Sequence, residues 1–185
     1  KIIHYIMIIS NIKKFFFKKK KYNTKKIEDS LNNIIKISNS VSFNKKFKIP
    51  DTFYARYEII LILIFLLYLR LKDEKVNKMK IQIIYNYLFE YLDYSLREIG
   101  IGDLSVGKRV KTLARIFSFR MRLYEESVKI DFKNIKKFIK KYVYKNKVKK
   151  YNLDNFYNYV NSQYKKLKAS NSKDIFSKNF FKEPI

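Results

Sequence analysis

Three glycines and two prolines are all that 185 residues offer for sharp turns, and the three glycines fall together between Leu96 and Lys111 in the stretch LREIGIGDLSVGKRVK. A sandwich or barrel needs a turn signal roughly every 8 to 12 residues. The chain is therefore restricted to long elements joined at few points, and the spacing of its apolar residues makes those elements helices. The expected fold class is all-α, a single compact domain of about five to six helices. It should cover residues 24–168, between a basic N-terminal segment at 1–23 and a poorly ordered tail at 169–185. A chain of this length builds one core of packed helices.

Formal net charge is +26, from 42 basic and 16 acidic residues, an excess that suits nucleic acid, ribosome or an anionic membrane as partner. Part of it has a blander origin. Ile, Lys, Asn, Phe and Tyr are all read from AT-rich codons, and a genome of that kind enriches lysine on any solvated face. Arginine runs against such a bias, yet five of the seven arginines (Arg97, Arg109, Arg115, Arg120 and Arg122) lie within 26 residues around the glycines. Cysteine is absent and His4 is the only histidine, which excludes a zinc cluster, a redox pair, a Ser-His-Asp triad and bis-histidine haem ligation. No carboxylate pair has a spacing suited to general acid–base work, and Glu125 and Glu126 read as part of a solvated helix face. No catalytic residue, metal or cofactor is expected.

Residues 1–27 contain no acid, and an apolar half precedes Lys13, Lys14, Lys18, Lys19, Lys20 and Lys21. This reads either as an amphipathic segment lying on an anionic bilayer or as a disordered basic tail. Thr24 can cap a first helix with Ile27, Leu31, Ile34 and Ile35 on one face, ending near Ser40 before an irregular stretch from Ser42 to Lys48. Pro50, Asp51 and Thr52 open a second. Every residue from Ile59 to Leu69 is apolar, but that run covers about 16 Å against the roughly 30 Å of a bilayer core, so it reads as the central core helix. A third helix from Asn77 carries Ile83, Ile84, Tyr87, Leu88, Tyr91, Leu92, Leu96 and Ile99. Ser105 reads as the cap of a fourth, with Val110, Leu113, Phe117, Met121, Tyr124 and Val128 as its apolar stripe and Lys108, Lys111, Arg115 and Arg122 opposite. Asp131 caps a fifth segment to about Lys150, holding ten lysines between Lys129 and Lys150, and a sixth helix runs from Asp154 to Lys168.

Gly102 to Lys108 has the spacing of a phosphate-binding P-loop. Arg109, however, stands where the magnesium-binding Ser or Thr belongs, and the preceding periodicity is helical. Gly100-Ile-Gly102 is likewise too short for a dinucleotide fingerprint. On its own the stretch reads as one shaped loop between two helices.

The same residues resemble the hallmark of the ubiquinol-cytochrome c chaperone family, a Leu-Arg-Glu, Gly-x-Gly-Asp, Val-x-Lys-Arg-Val-Lys block. Leu96, Arg97, Glu98, Gly100, Gly102, Asp103, Val106, Lys108, Arg109, Val110 and Lys111 match it. Upstream, Pro50-Asp51-Thr52 and Arg56-Tyr57-Glu58 resemble the family's Pro-Asp-Thr and Arg-Phe-Glu, and the likeness runs from about Ile49 to Val128. One departure is Phe117-Ser118-Phe119-Arg120, where many members have Phe-Tyr-Gly-Arg.

The resemblance implies an all-α assembly factor that holds newly made cytochrome b, or another complex III client, without catalysing a reaction. It implies a place on the cytoplasmic side of an alphaproteobacterial inner membrane or the matrix side of the mitochondrial one, with the ribosomal tunnel exit and a small partner protein as further contacts. The client surface is expected at Arg97, Glu98, Gly100, Gly102, Asp103, Lys108, Arg109, Lys111, Arg115, Arg120, Arg122 and Tyr124. For Arg97, Glu98 and Asp103 the alternative is that they pair with each other or cap helices. For the whole chain the alternative is an RNA- or ribosome-binding protein using the lysines from Lys129 to Lys150.

Overall fold

The computed structural model describes residues 24–72, 78–171, 174–177 and 180–184. The N-terminal segment 1–23, with its two readings above, lies outside the described residues. Seven α-helices and no strand occur among those described: α1 (Lys25–Ser38), α2 (Val41–Phe47), α3 (Phe53–Leu71), α4 (Lys78–Glu98), α5 (Asp103–Val128), α6 (Ile135–Phe138) and α7 (Lys150–Ala169). A 3-10 turn, Phe132–Asn134, leads into α6, and a π turn, Ile139–Val143, continues it.

The apolar run forms the axis of the molecule. Ile59 to Leu67 are each no more than 3% exposed, because α1, α4, α5, the π turn and α7 all pack around α3. Each such side chain contributes about 1.5–3 kcal/mol, far more than helix propensity supplies. Around it the outer helices bury the stripes their spacing predicts: Ile27, Leu31 and Ile34 on α1; Ile84, Leu88, Leu92 and Leu96 on α4; Leu113, Phe117, Met121 and Tyr124 on α5. Among the described residues no helix is long and apolar enough to cross a membrane.

Thr52 caps α3 as expected, its hydroxyl accepting from the Ala55 N–H at 3.2 Å. Thr24 starts α1 through its carbonyl alone, which accepts from Ile27 and Glu28. Four expectations change. The stretch from Ser42 to Lys48 is not irregular: Ser40 caps α2 by accepting from the Ser42 N–H, and Phe43 and Phe47, one turn apart, pack on Phe156 and Tyr159 of α7. The fifth segment stops at Val143, because Lys145 and Asn146 take positive φ and turn the chain back. The last helix then begins at Lys150, and Asp154, expected to start it, pairs with Lys136 instead. The described residues after Ala169 are attached to the fold, with Ile175, Phe176, Phe180 and Phe181 all buried. The Tyr159 hydroxyl donates to the Lys182 carbonyl at 2.8 Å, and Glu183 accepts from Ser40 and Ser42 at 2.7 and 3.1 Å. Glu125 is half-buried and accepts from Tyr68 and Lys72, whereas Glu126 is exposed.

Candidate functional site

The three glycines do not form one loop. Gly100 ends α4 with φ 84°, its N–H donating to Arg97 O at 2.9 Å and the Ile101 N–H to Leu96 O at 3.1 Å. This paired closure of a helix end needs a residue that tolerates the left-handed region. Gly102 has ordinary extended backbone and caps α5, its carbonyl accepting from Ser105 and Val106, so Ser105 is inside the helix rather than its cap. Gly107 lies within α5, where an added Cβ would meet nothing within 4 Å. The turn is thus three residues, Ile99, Gly100 and Ile101, between α4 and the cap of α5.

Arg97 fastens that turn. Its Nε donates to Asp93 Oδ2 at 2.7 Å within α4, and its Nη1 donates to Asp103 in the first turn of α5. The Asp93 bond chiefly, with Asp103, raises the Arg97 pKa further above its ordinary value. Asp103 also stands where the positive end of the α5 dipole favours an anion. The pairing expected as the alternative for Arg97 and Asp103 is the one found, while Glu98 is exposed beside it.

A groove of about 560 Å³ opens where the start of α3 faces this turn. It is lined by Phe53 and Tyr54 of α3, by Leu96 and Ile99 at the end of α4, and by Lys108, Arg109 and Leu113 of α5. A second hollow of about 430 Å³ adjoins it, sharing Phe53 and Ile99 and reaching Arg56 and Tyr91. Large apolar side chains are unusually bare here: Tyr54 is 55% exposed and Ile99 69%, and Leu104, in the first turn of α5, is 100% exposed. Contiguous exposed apolar surface with a polar rim is the usual mark of a binding face. Lys111, Arg115 and Arg122 extend the positive charge along the exposed side of α5. Ile99, expected in the core stripe of α4, belongs to this surface instead because the helix ends one residue before it.

Two members of the expected client surface are not on it. The Arg120 side chain is 12% exposed and Tyr124 is fully buried. Arg120 reaches inward to Glu58 of α3, with Nε 3.0 and 3.1 Å from the two carboxylate oxygens and Nη2 2.9 Å from Oε1. The Tyr124 hydroxyl donates to the same carboxylate at 3.2 Å. The Tyr142 ring covers the guanidinium, its centroid 3.2 Å from Cζ. Burial pushes the Glu58 carboxyl above its ordinary pKa and Arg120 opposes the shift; burial and then the Glu58 charge push Tyr124 up as well. One helical position before Glu58, the Tyr57 hydroxyl donates to Leu113 O at 3.0 Å. This cluster joins α3 to α5 from inside. Phe119, in place of the family's glycine, points outward at 44% exposure between Arg120 and Arg122 and leaves the internal pair intact.

Phe53 and Tyr54 of the groove, Arg56 of the adjoining hollow and the bare Leu104 in the first turn of α5 are not among the expected site residues. The available signal was Phe53-Tyr54 in the first turn of a helix whose other faces are already apolar, where the surplus aromatics have to face out. Among the described residues no group of three or more His, Cys, Asp or Glu side chains could hold a metal.

The family model for the ubiquinol-cytochrome C chaperone matches residues 45–182. No curated protein matches the sequence. Among solved structures, the crystal structure of the Cbp3 homolog from Brucella abortus is similar, with a TM-score of 0.70 and 24% identity over 97% of this chain and 94% of that one. At that identity the likeness speaks for the fold, over nearly the whole of both chains.

Proposed function

Since this chain belongs to the ubiquinol-cytochrome c chaperone family, we propose that it holds newly made cytochrome b for the assembly of complex III, and that the groove between α3 and the α4–α5 turn is where it does so. The carrying observation is the combination found there: bare Tyr54 and Ile99 beside Lys108 and Arg109, with the fully exposed Leu104 one helical turn before Lys108 on α5. A client awaiting its membrane exposes apolar segments that aggregate in water, and such a surface covers them while the rim cations donate hydrogen bonds to carboxylates or carbonyls. Arg97, Glu98, Gly100, Gly102 and Asp103 shape the turn that presents Ile99 and Leu104, while Lys108, Arg109, Lys111, Arg115 and Arg122 supply the cations. Holding requires no covalent chemistry from the chain. We place the protein peripherally at the inner membrane, on the cytoplasmic side in an alphaproteobacterium or the matrix side in a mitochondrion, with a small partner protein as a further contact.

The test is co-purification of cytochrome b with the tagged chain, together with complex III content in the host. A variant carrying Ile99→Asp and Arg109→Glu should lose both while keeping its helical content and unfolding midpoint. Normal complex III with that variant, shown to be folded, would reject the groove as the client site.

A further inference from the structure

Away from the groove, charge among the described residues is most concentrated where the chain reverses between the π turn and α7. Lys140, Lys141, Lys145, Lys147, Lys149 and Lys150 are all exposed within eleven residues. The reversal is held by the left-handed pair Lys145 (φ 50°) and Asn146 (φ 65°), with the Asn146 N–H donating to Lys140 O at 2.9 Å and the Lys147 N–H to Tyr144 O at 2.8 Å. Those bonds bring the lysines before and after the turn to one knob. From Lys129 to Tyr151 the sequence has a single acid, Asp131, and its carboxylate is occupied in capping the 3-10 turn. The next, Asp154, is paired with Lys136. The knob is also anchored: Val143 and Tyr144 are buried, and the Tyr144 hydroxyl donates to Phe47 O at 2.9 Å. A base composition rich in lysine codons would scatter these residues over solvated faces. It does not account for six of them gathered on a fixed reversal that a lysine occupies in an unfavourable conformation.

We propose that this knob docks the protein on an anionic lipid surface, an inference that rests on the peripheral-membrane part of the reading above. The charges are all ammonium groups, compact and without the planar fork by which arginine selects individual phosphates, so they fit a diffuse sheet of negative headgroups. Tyr151, 73% exposed at the start of α7, is the large ring bared beside them. An amphipathic ring of this kind suits the headgroup level of a bilayer, whereas single-stranded nucleic acid is held by a series of stacking rings. The knob lies at the end of the molecule where α3 begins, since Tyr142 rests on Arg120 and Arg120 on Glu58, six residues into α3. Docking by the knob therefore brings the client groove close to the bilayer.

The experiment measures binding of the full chain to vesicles containing about a third phosphatidylglycerol and to neutral phosphatidylcholine vesicles, at low and at physiological salt. Lys140, Lys147, Lys149 and Lys150, whose side chains make no hydrogen bond, ion pair or ring contact among the described residues, are replaced together by glutamine. A second variant replaces Lys13, Lys14, Lys18, Lys19, Lys20 and Lys21 in the same way. The expected result is binding confined to anionic vesicles, weakened by salt, and reduced roughly 1,000-fold by the four knob substitutions. Equal vesicle binding by the knob variant, with the loss appearing in the N-terminal one, overturns the knob and leaves the peripheral-membrane reading standing. Failure of the unsubstituted chain to bind anionic vesicles overturns both. The knob variant and the unsubstituted chain are also titrated with a single-stranded RNA, and loss of RNA binding with vesicle binding retained would make the knob a nucleic-acid surface and also overturn the proposal.

Discussion

Arg97 and Arg120 look alike in the sequence, each sitting in a block that resembles the same family, yet they do opposite things. Arg97 lies on the surface between Asp93 and Asp103, and water screens all three groups. Arg120 is inside, stacked under Tyr142 and bonded to a carboxylate that is itself 7% exposed. The first pair shapes a turn; the second joins two helices. A basic residue near a functional loop is therefore no guide to function until its burial is known, and here burial divides the expected client surface into an outer set around Lys108 and Arg109 and an inner pair, Arg120 and Tyr124.

The sharpest test of that division is Arg120→Ala, which leaves Glu58 in the interior with no cation. It should lower the unfolding free energy by about 3–5 kcal/mol in urea denaturation; a loss under about 1 kcal/mol would mean that water reaches Glu58 and that the two arginines are equivalent after all. Next comes the outer set. Lys108→Glu with Arg109→Glu should cut client capture at least tenfold without moving the unfolding midpoint, and an accompanying loss of stability would transfer those cations to the structural class.

The inner pair also carries a pH signature. Burial raises the Glu58 carboxyl above its ordinary value of 4.5 in spite of Arg120, so the folded state holds this proton to higher pH than the unfolded chain does. Its stabilising contribution is complete below the ordinary value and is lost as pH rises through the folded one. Compared with Glu58→Gln, the native chain should gain stability as pH falls across that window, by at most about 1.4 kcal/mol per pH unit. A difference independent of pH would show that Glu58 titrates normally.

Two glycines extend the comparison to the backbone. Gly100→Ala should destabilise by about 1 kcal/mol because the turn needs positive φ, while Gly107→Ala, inside a helix with room for the methyl group, should stabilise by about 0.5–1 kcal/mol. Equal signs would contradict the assignment of one to a turn and the other to a helix. The smallest effect expected is that of Arg97→Ala, which at physiological salt should leave the unfolding midpoint where it was.

Most of the architecture was legible because five helices announce themselves by apolar residues three and four apart, and because Thr52 and the run from Ile59 to Leu69 leave little choice for α3. The misses have local causes. α2 is two turns long, too short for periodicity to stand out, and its signal was Ser40 followed by Phe43 and Phe47. In the sequence Gly107 reads with its neighbours as a loop residue, although a helix with tertiary support tolerates one glycine. The aromatics Phe176, Phe180 and Phe181 have no regular spacing, and their burial depends on a cleft formed by other elements. The groove was only half legible for a related reason: Lys108 and Arg109 lie in a conspicuous motif, but Tyr54 and Ile99 become neighbours only when α3 and α4 pack.

A helix that is apolar on every side, as α3 is, can be rotated about its own axis with little change in the oil it touches, so hydrophobicity alone gives it no preferred azimuth. Tyr57 and Glu58 supply one. Held by Leu113 O, Arg120 and Tyr124, all on α5, they act as keys in a lock cylinder and determine which way Phe53 and Tyr54 point at the groove a turn earlier. Cutting those keys should leave a molecule that is still helical and still greasy inside, but whose client face is no longer aimed in one direction.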